Sequence, residues 1–191
     1  MTARHPGRCP ACKLAVERLL GETFGSVRAA WATGWPCRLD DLNEHAAAPL
    51  LSSIHEALVA HRGHSVFVRA KKLPSCDYYV HGKPGFIVEY DESQHFTAPR
   101  ARVLSLIPAT HPLAFDLSRW TLLAQEMNAK DNDPPYRDEQ RAWYDVLRDV
   151  LPIEHGLGPT SRLLDREVAY CELNPRSPAD IATFKRMLGR P

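Results

Sequence analysis

A strand that begins apolar and ends acidic limits what this chain can fold into. Residues 85–96 read Gly-Phe-Ile-Val-Glu-Tyr-Asp-Glu-Ser-Gln-His-Phe. Phe86, Ile87 and Val88 suit a strand covered on both faces. Side chains alternate along a strand, so Glu89 and Asp91 project to the same side. Two carboxylates at the end of a buried strand repel each other and lose hydration. A cation must compensate them, either a metal ion or a basic side chain.

The elements around that strand follow from apolar spacing and from Pro and Gly. A helix is expected from Lys13, with Leu14, Val16, Leu19 and Leu20 as its apolar positions and Gly25 as its stop. Residues 27–48 hold Trp31, Gly34, Trp35 and Pro36 and remain unassigned. Pro49 opens a second helix with the stripe Leu51, Ile54 and Leu58. Three strands are expected at 65–71, 77–80 and 86–91. The last two form an antiparallel hairpin across the turn His81-Gly-Lys-Pro-Gly85. A short helix is expected over 100–107, and a helix capped by Ser118 carries Trp120, Leu123 and Met127. Residues 136–151 form an amphipathic helix with Trp143, Val146, Leu147 and Val150 inward. A strand over 163–173 and a helix opened by Ser177 complete the chain.

This order gives an α/β (α+β) fold, and 191 residues make one well-filled domain. Residues 1–48 read as a helical or irregular extension carrying a Cys-x-x-Cys, and 49–191 as the domain proper, together one compact unit. Lys and Arg number 24 against 23 Asp and Glu, a net charge of +1. Any nucleic-acid surface is therefore a local patch rather than a bulk property. No apolar run approaches the roughly 20 residues of a membrane span. The start of the chain lacks the apolar core of a secretory signal, and five Cys at irregular spacing do not suggest a disulfide framework. A cytoplasmic protein with no membrane partner is expected; the sequence leaves the oligomeric state open.

The hairpin brings Asp77 toward Glu89 and Asp91. Three convergent carboxylates make an oxygen-rich site suited to Mg²⁺ or Mn²⁺. Gln94 and His95 follow on the same connection, and an imidazole can move protons near neutral pH. The same acids can instead pair with Arg100 or Arg102 at a solvated edge. On the helix, Arg137 and Arg141 can meet phosphates, or pair along an exposed face with Asp138, Asp145 and Asp149. Arg148 reads as a partner of those acids.

Cys9-Pro-Ala-Cys12 has the spacing of half a zinc knuckle. Cys37, with His5 or His45, can complete a structural Zn²⁺ set; reduced, unligated thiols are the other reading. Cys76 and Cys171 read as small apolar residues. Nothing resembles a P-loop, a dinucleotide fold or a Ser-His-Asp elbow.

The order helix, strand, Asp-bearing strand, then Glu-x-Asp-x-x-Gln-His-Phe resembles the restriction-endonuclease-like PD-(D/E)xK superfamily. The nearest match is the branch containing very-short-patch-repair endonucleases. Asp77 matches its first acid, and Glu89, Asp91 and His95 match its second cluster. Arg137-Asp138-Glu-Gln-Arg141 matches its downstream Arg-Asp-x-x-Arg. The resemblance covers roughly residues 49–151. It implies a restriction-endonuclease-like core, a central mixed sheet whose hairpin carries the acids, flanked by helices. It also implies a metal-dependent nuclease that hydrolyses phosphodiester bonds in DNA. Asp77, Glu89 and Asp91 would then hold Mg²⁺ or Mn²⁺, while Gln94 and His95 act in catalysis. Arg137, Asp138 and Arg141 would meet substrate, with Asp138 orienting His95 or an arginine. Glu56 stands where an assisting acid sometimes lies. The superfamily's lysine, two residues after the Glu, is Asp91 here, and the glycine usual after that Asp is Glu92. Lys71, Lys72 or His95 can take the lysine's role. The alternative is an inactive nuclease-like module that binds nucleic acid or protein. A metal-dependent phosphoesterase acting on small substrates is a third reading.

Overall fold

The computed structural model describes residues 9–190. His5 therefore lies outside the described residues. The elements run α1 (Pro10–Phe24), β1 (Val27–Trp31), α2 (Ala48–Arg62), β2 (Cys76–Val80) and β3 (Phe86–Asp91). They continue as α3 (Ala98–Leu104), α4 (Leu117–Met127), α5 (Arg137–Val150), β4 (Ser161–Leu164) and α6 (Pro178–Met187). Short 3-10 turns lie at Leu39–Leu42, Ser93–His95 and Tyr170–Glu172.

The chain builds one four-stranded mixed sheet in the order β1-β2-β3-β4. Strands β1, β2 and β3 form an antiparallel meander, and β4 joins parallel to β3. A parallel neighbour needs a long crossover, and here α3, α4 and α5 supply it. The β2–β3 hairpin pairs Tyr78 with Val88 and Val80 with Phe86, as the sequence suggests. Gly85 closes its turn because nothing larger fits. A Cβ there would fall on the Tyr79 hydroxyl and stand 2.9 Å from the Val80 carbonyl oxygen.

Strand β3 is buried at every position, and its two faces part company. Phe86, Val88 and Tyr90 pack with Tyr78 and Val80 against Val16, Leu19 and Leu20 of α1 and Phe184 of α6. Ile87 joins the other core, with Leu51, Ile54 and Leu58 of α2 and Trp143, Val146, Leu147 and Val150 of α5. Alternation puts Glu89 and Asp91 on the Ile87 side, facing α5. Both acids are therefore buried between a sheet and a helix.

Two strand expectations are corrected. Residues 65–71 form no strand: Phe67 packs against Trp143 and its carbonyl accepts from Gln140 Nε2 at 2.8 Å. The first strand is β1, from the unassigned stretch, paired from Val27↔Val80 to Trp31↔Cys76. It is an edge strand with exposed Arg28, Ala29 and Ala30, so it lacks the apolar alternation that marks a buried strand. Residues 1–48 thus contribute a strand to the same sheet. The last strand is also shorter and earlier than 163–173. It spans Ser161–Leu164, and the chain then leaves the sheet for the 3-10 turn Tyr170–Glu172. Among the described residues, no helix is long and apolar enough to cross a membrane.

Candidate functional site

The burial of Glu89 and Asp91 decides how the site is built, because both carboxylates must find positive charge. Asp91 finds it on β4. Arg162 Nη1 donates to Asp91 Oδ1 at 2.7 Å and to Oδ2 at 3.0 Å, and Trp120 Nε1 donates to Oδ2 at 2.9 Å. Arg162 Nε also donates to Asp149 Oδ1 at 2.8 Å, and Arg100 Nη2 donates to Asp149 Oδ2 at 2.6 Å. Glu89 lies against α5, with Oε1 3.3 Å from Arg148 Nε. Loss of hydration pushes the Glu89 carboxyl up to about 7, although Arg148 pulls the other way. Arg148 is held by Nη2, which donates to the carbonyls of Pro74 at 3.0 Å and Ser75 at 3.2 Å.

His95 belongs to the same cluster. Its Nδ1 is 2.9 Å from Asp145 Oδ2 and 3.7 Å from Asp91 Oδ1. Burial alone would lower its pKa, but the Asp145 and Asp91 carboxylates together outweigh burial and raise it. Burial would likewise raise Asp145, and the His95 and Arg162 charges carry it well below the carboxylate range. With Nδ1 engaged, Nε2 is the ring nitrogen that can exchange a proton with a substrate. Four carboxylates (Glu89, Asp91, Asp145 and Asp149) face three guanidinium groups (Arg100, Arg148 and Arg162). One proton, on His95 or Glu89, balances the cluster. Three of its atoms, Arg100 Nη1, Asp145 Oδ1 and Arg148 Nε, are buried without a hydrogen-bond partner among the described residues.

Beside this cluster is a pocket of about 190 Å³, where His95 meets Arg137, Arg141, Tyr144, Asp145 and Arg148. Three of the residues singled out from sequence, His95, Arg137 and Arg141, thus share one cavity. Arg137 Nη1 donates to Gln140 Oε1 at 3.1 Å, along its own helix. Arg141 Nη1 donates to the Gln94 carbonyl at 2.9 Å, and Nη2 donates to Asp131 Oδ2 at 2.7 Å. Gln94 therefore meets the basic helix through its backbone, while its Nε2 donates to Glu92 Oε2 at 3.1 Å.

Asp77 stands next to Glu89 and faces elsewhere. Its N–H donates to Glu89 Oε1 at 3.3 Å, so the two acids are neighbours across β2 and β3. Its own carboxylate accepts from Tyr90 N–H at 2.9 Å through Oδ2, and Oδ1 is 2.6 Å from Lys13 Nζ. Lys13 comes from α1, and its carbonyl accepts from the Tyr78 hydroxyl at 2.7 Å. Lys13, Glu17 and Asp77 line a second pocket of about 270 Å³. Glu89 thus connects two pockets, touching Asp77 of one and Arg148 of the other.

Several expected partners differ from those found. The lysine that meets Asp77 is Lys13, whereas Lys71 and Lys72 are exposed. His95 is oriented by Asp145. Asp138 instead accepts from Asp131 N–H at 3.0 Å and lies 3.5 Å from Arg62 Nη2. Glu56 is exposed on α2. Asp91 has both oxygens committed to Arg162 and Trp120. Nothing in the sequence signalled Lys13, which is remote from Asp77 along the chain. Arg162 had a faint signal, the one charge in the short strand Ser161–Leu164.

Among the described residues, the one group of three potential metal ligands with donor atoms within 4.8 Å of one another is Cys9, Cys12 and Cys171. This group can hold a metal ion. Cys37 is elsewhere, its Sγ 3.2 Å from the Ala70 carbonyl, and His45 pairs with Glu154 at 2.9 Å. Cys171 is exposed rather than packed as an apolar residue.

The chain matches no protein-family model, no curated protein and no solved structure.

Proposed function

We propose that this chain is a nuclease of restriction-endonuclease-like build that hydrolyses phosphodiester bonds in DNA. The observation that carries the reading is the meeting of Asp77 and Glu89 across β2 and β3, beside a pocket lined by His95, Arg137 and Arg141. The topology accords with it: a helix, an antiparallel meander, then α5 leading to a strand parallel to β3.

The three hairpin acids are not equally suited to Mg²⁺ or Mn²⁺. Asp77 and Glu89 are the candidates for a hard cation: the Asp77 N–H donates to Glu89 Oε1, and the Asp77 charge helps raise the Glu89 carboxyl. Asp91 does not fit, since Arg162 and Trp120 fill its oxygens. A divalent ion held by Asp77 and Glu89 would lower the pKa of a bound water and offset charge on the phosphate. Lys13 places an ammonium 2.6 Å from Asp77, in the role of the superfamily's displaced lysine. His95, steadied by Asp145, takes or gives the proton through Nε2. Arg137 and Arg141 hold the phosphates on either side of the reacting one.

Nicking of supercoiled plasmid in Mg²⁺ or Mn²⁺ tests the proposal. Wild-type protein should nick, and Asp77→Ala or Glu89→Ala should each lower the rate by roughly a hundredfold or more. Retained nicking by both variants contradicts it. A second reading, a module that binds DNA without cutting, is favoured by the basic partner that each of Asp77, Glu89 and Asp91 already has. On that reading the wild type retards a DNA fragment and nicks nothing.

A further inference from the structure

We propose that Cys9, Cys12 and Cys171 bind one Zn²⁺ that clamps the first turn of α1 to the Tyr170–Glu172 turn near the other end of the chain. Cys9 is the residue that precedes α1, and Cys12 lies in its first turn, where its N–H donates to the Cys9 carbonyl at 3.1 Å. That local turn folds two thiols toward one point, the first half of a zinc knuckle. Cys171 arrives from the 3-10 turn Tyr170–Glu172, which packs against α1 through Tyr170 and its neighbours in the shared core. The three sulfurs lie within 4.8 Å of one another. Thiolates at about 2.3 Å from a tetrahedral ion stand about 3.8 Å apart, so a small contraction brings them onto the metal.

Soft sulfur donors select zinc over the hard cations suited to the acids. Burial grades from Cys12, fully buried, through Cys9 to exposed Cys171. The ion has a mechanical consequence. Lys13 follows Cys12 directly and is the residue whose ammonium meets Asp77. A metal that fixes the first turn of α1 therefore also fixes the backbone position from which Lys13 reaches that acid. The clamp itself stands whether or not the acids cut DNA.

The test measures zinc by elemental analysis in full-length protein purified under reducing conditions, then repeats it after exchange with Co²⁺. Wild type and Cys37→Ser should carry about one zinc per chain, and the cobalt form should show thiolate charge-transfer absorption. Cys9→Ser and Cys171→Ser should lose most of it. If those variants fold poorly, Cys171→His keeps a ligand and should retain metal with weaker charge-transfer absorption. Chelation of the wild type should speed amide exchange in the first turn of α1 by about tenfold. Cys171→Ser with wild-type zinc content, or wild type that takes up neither zinc nor cobalt, overturns the proposal. All these readouts are independent of cleavage.

Discussion

Glu89 is buried, its carboxyl is pushed up to about 7, and its nearest cation, Arg148, is poorly aligned with it. Its folded pKa is raised, so its contribution to stability is full below the unfolded value and is lost as pH rises through about 7. A rise from 4.5 to about 7 corresponds to roughly 3 kcal/mol. Glu89→Gln should therefore raise the melting temperature more at pH 8 than at pH 5, a comparison scanning calorimetry can make. Equal effects at both pH values would show that Glu89 does not carry this strain. His95 has the same sign, because its pKa is raised. The His95–Asp145 pair stabilises the fold fully below the ordinary imidazole value and less as pH climbs through the raised one. Asp145→Asn should shift the imidazole titration downward in NMR. Arg162 is the other decisive residue, since among the described residues it alone touches both Asp91 and Asp149. Arg162→Met leaves two buried carboxylates short of charge and should cost about 3–5 kcal/mol in urea unfolding. Adding Asp91→Asn should restore part of that loss.

Helix α5 carries most of the site at the scale of elements. Its start presents Arg137 and Arg141 to the pocket, and its middle turns Asp145, Arg148 and Asp149 inward. The double variant Arg137→Ala, Arg141→Ala should weaken DNA binding across sequences. It should also lower the salt-dependence slope by about two, one for each phosphate no longer neutralised, in fluorescence anisotropy. An unchanged slope would contradict the proposed DNA contact at this pocket. The hairpin and the apolar stripe of α5 were legible because alternation and helical spacing are strong signals, as Val146, Leu147 and Val150 show. The inward acids of α5 were not, since Asp145 and Asp149 read like any solvated helix face. Edge strand β1 was hidden for the opposite reason: Arg28, Ala29 and Ala30 are exposed, and pairing rather than burial makes them a strand. Lys13 could only emerge from tertiary packing, since α1 lies on the opposite face of the sheet from α5.

At the scale of the whole molecule, one sheet separates two cores, and the two candidate pockets lie on either side of the start of β2. Glu89 spans them, touching the Asp77 backbone on one side and Arg148 on the other. A ligand that engages both pockets must pass the Pro74–Ser75 segment, which borders each. Each acid of the hairpin already has a basic partner, so a divalent ion has to compete with Lys13 and Arg148 for the pair it would use. Crystals soaked in Mn²⁺ measure that competition directly. A peak of anomalous density between Asp77 and Glu89, with the Lys13 ammonium moved off Asp77, is the result expected of a metal-dependent nuclease. An empty site, with Lys13 still seated on Asp77 at high Mn²⁺ concentration, would contradict it.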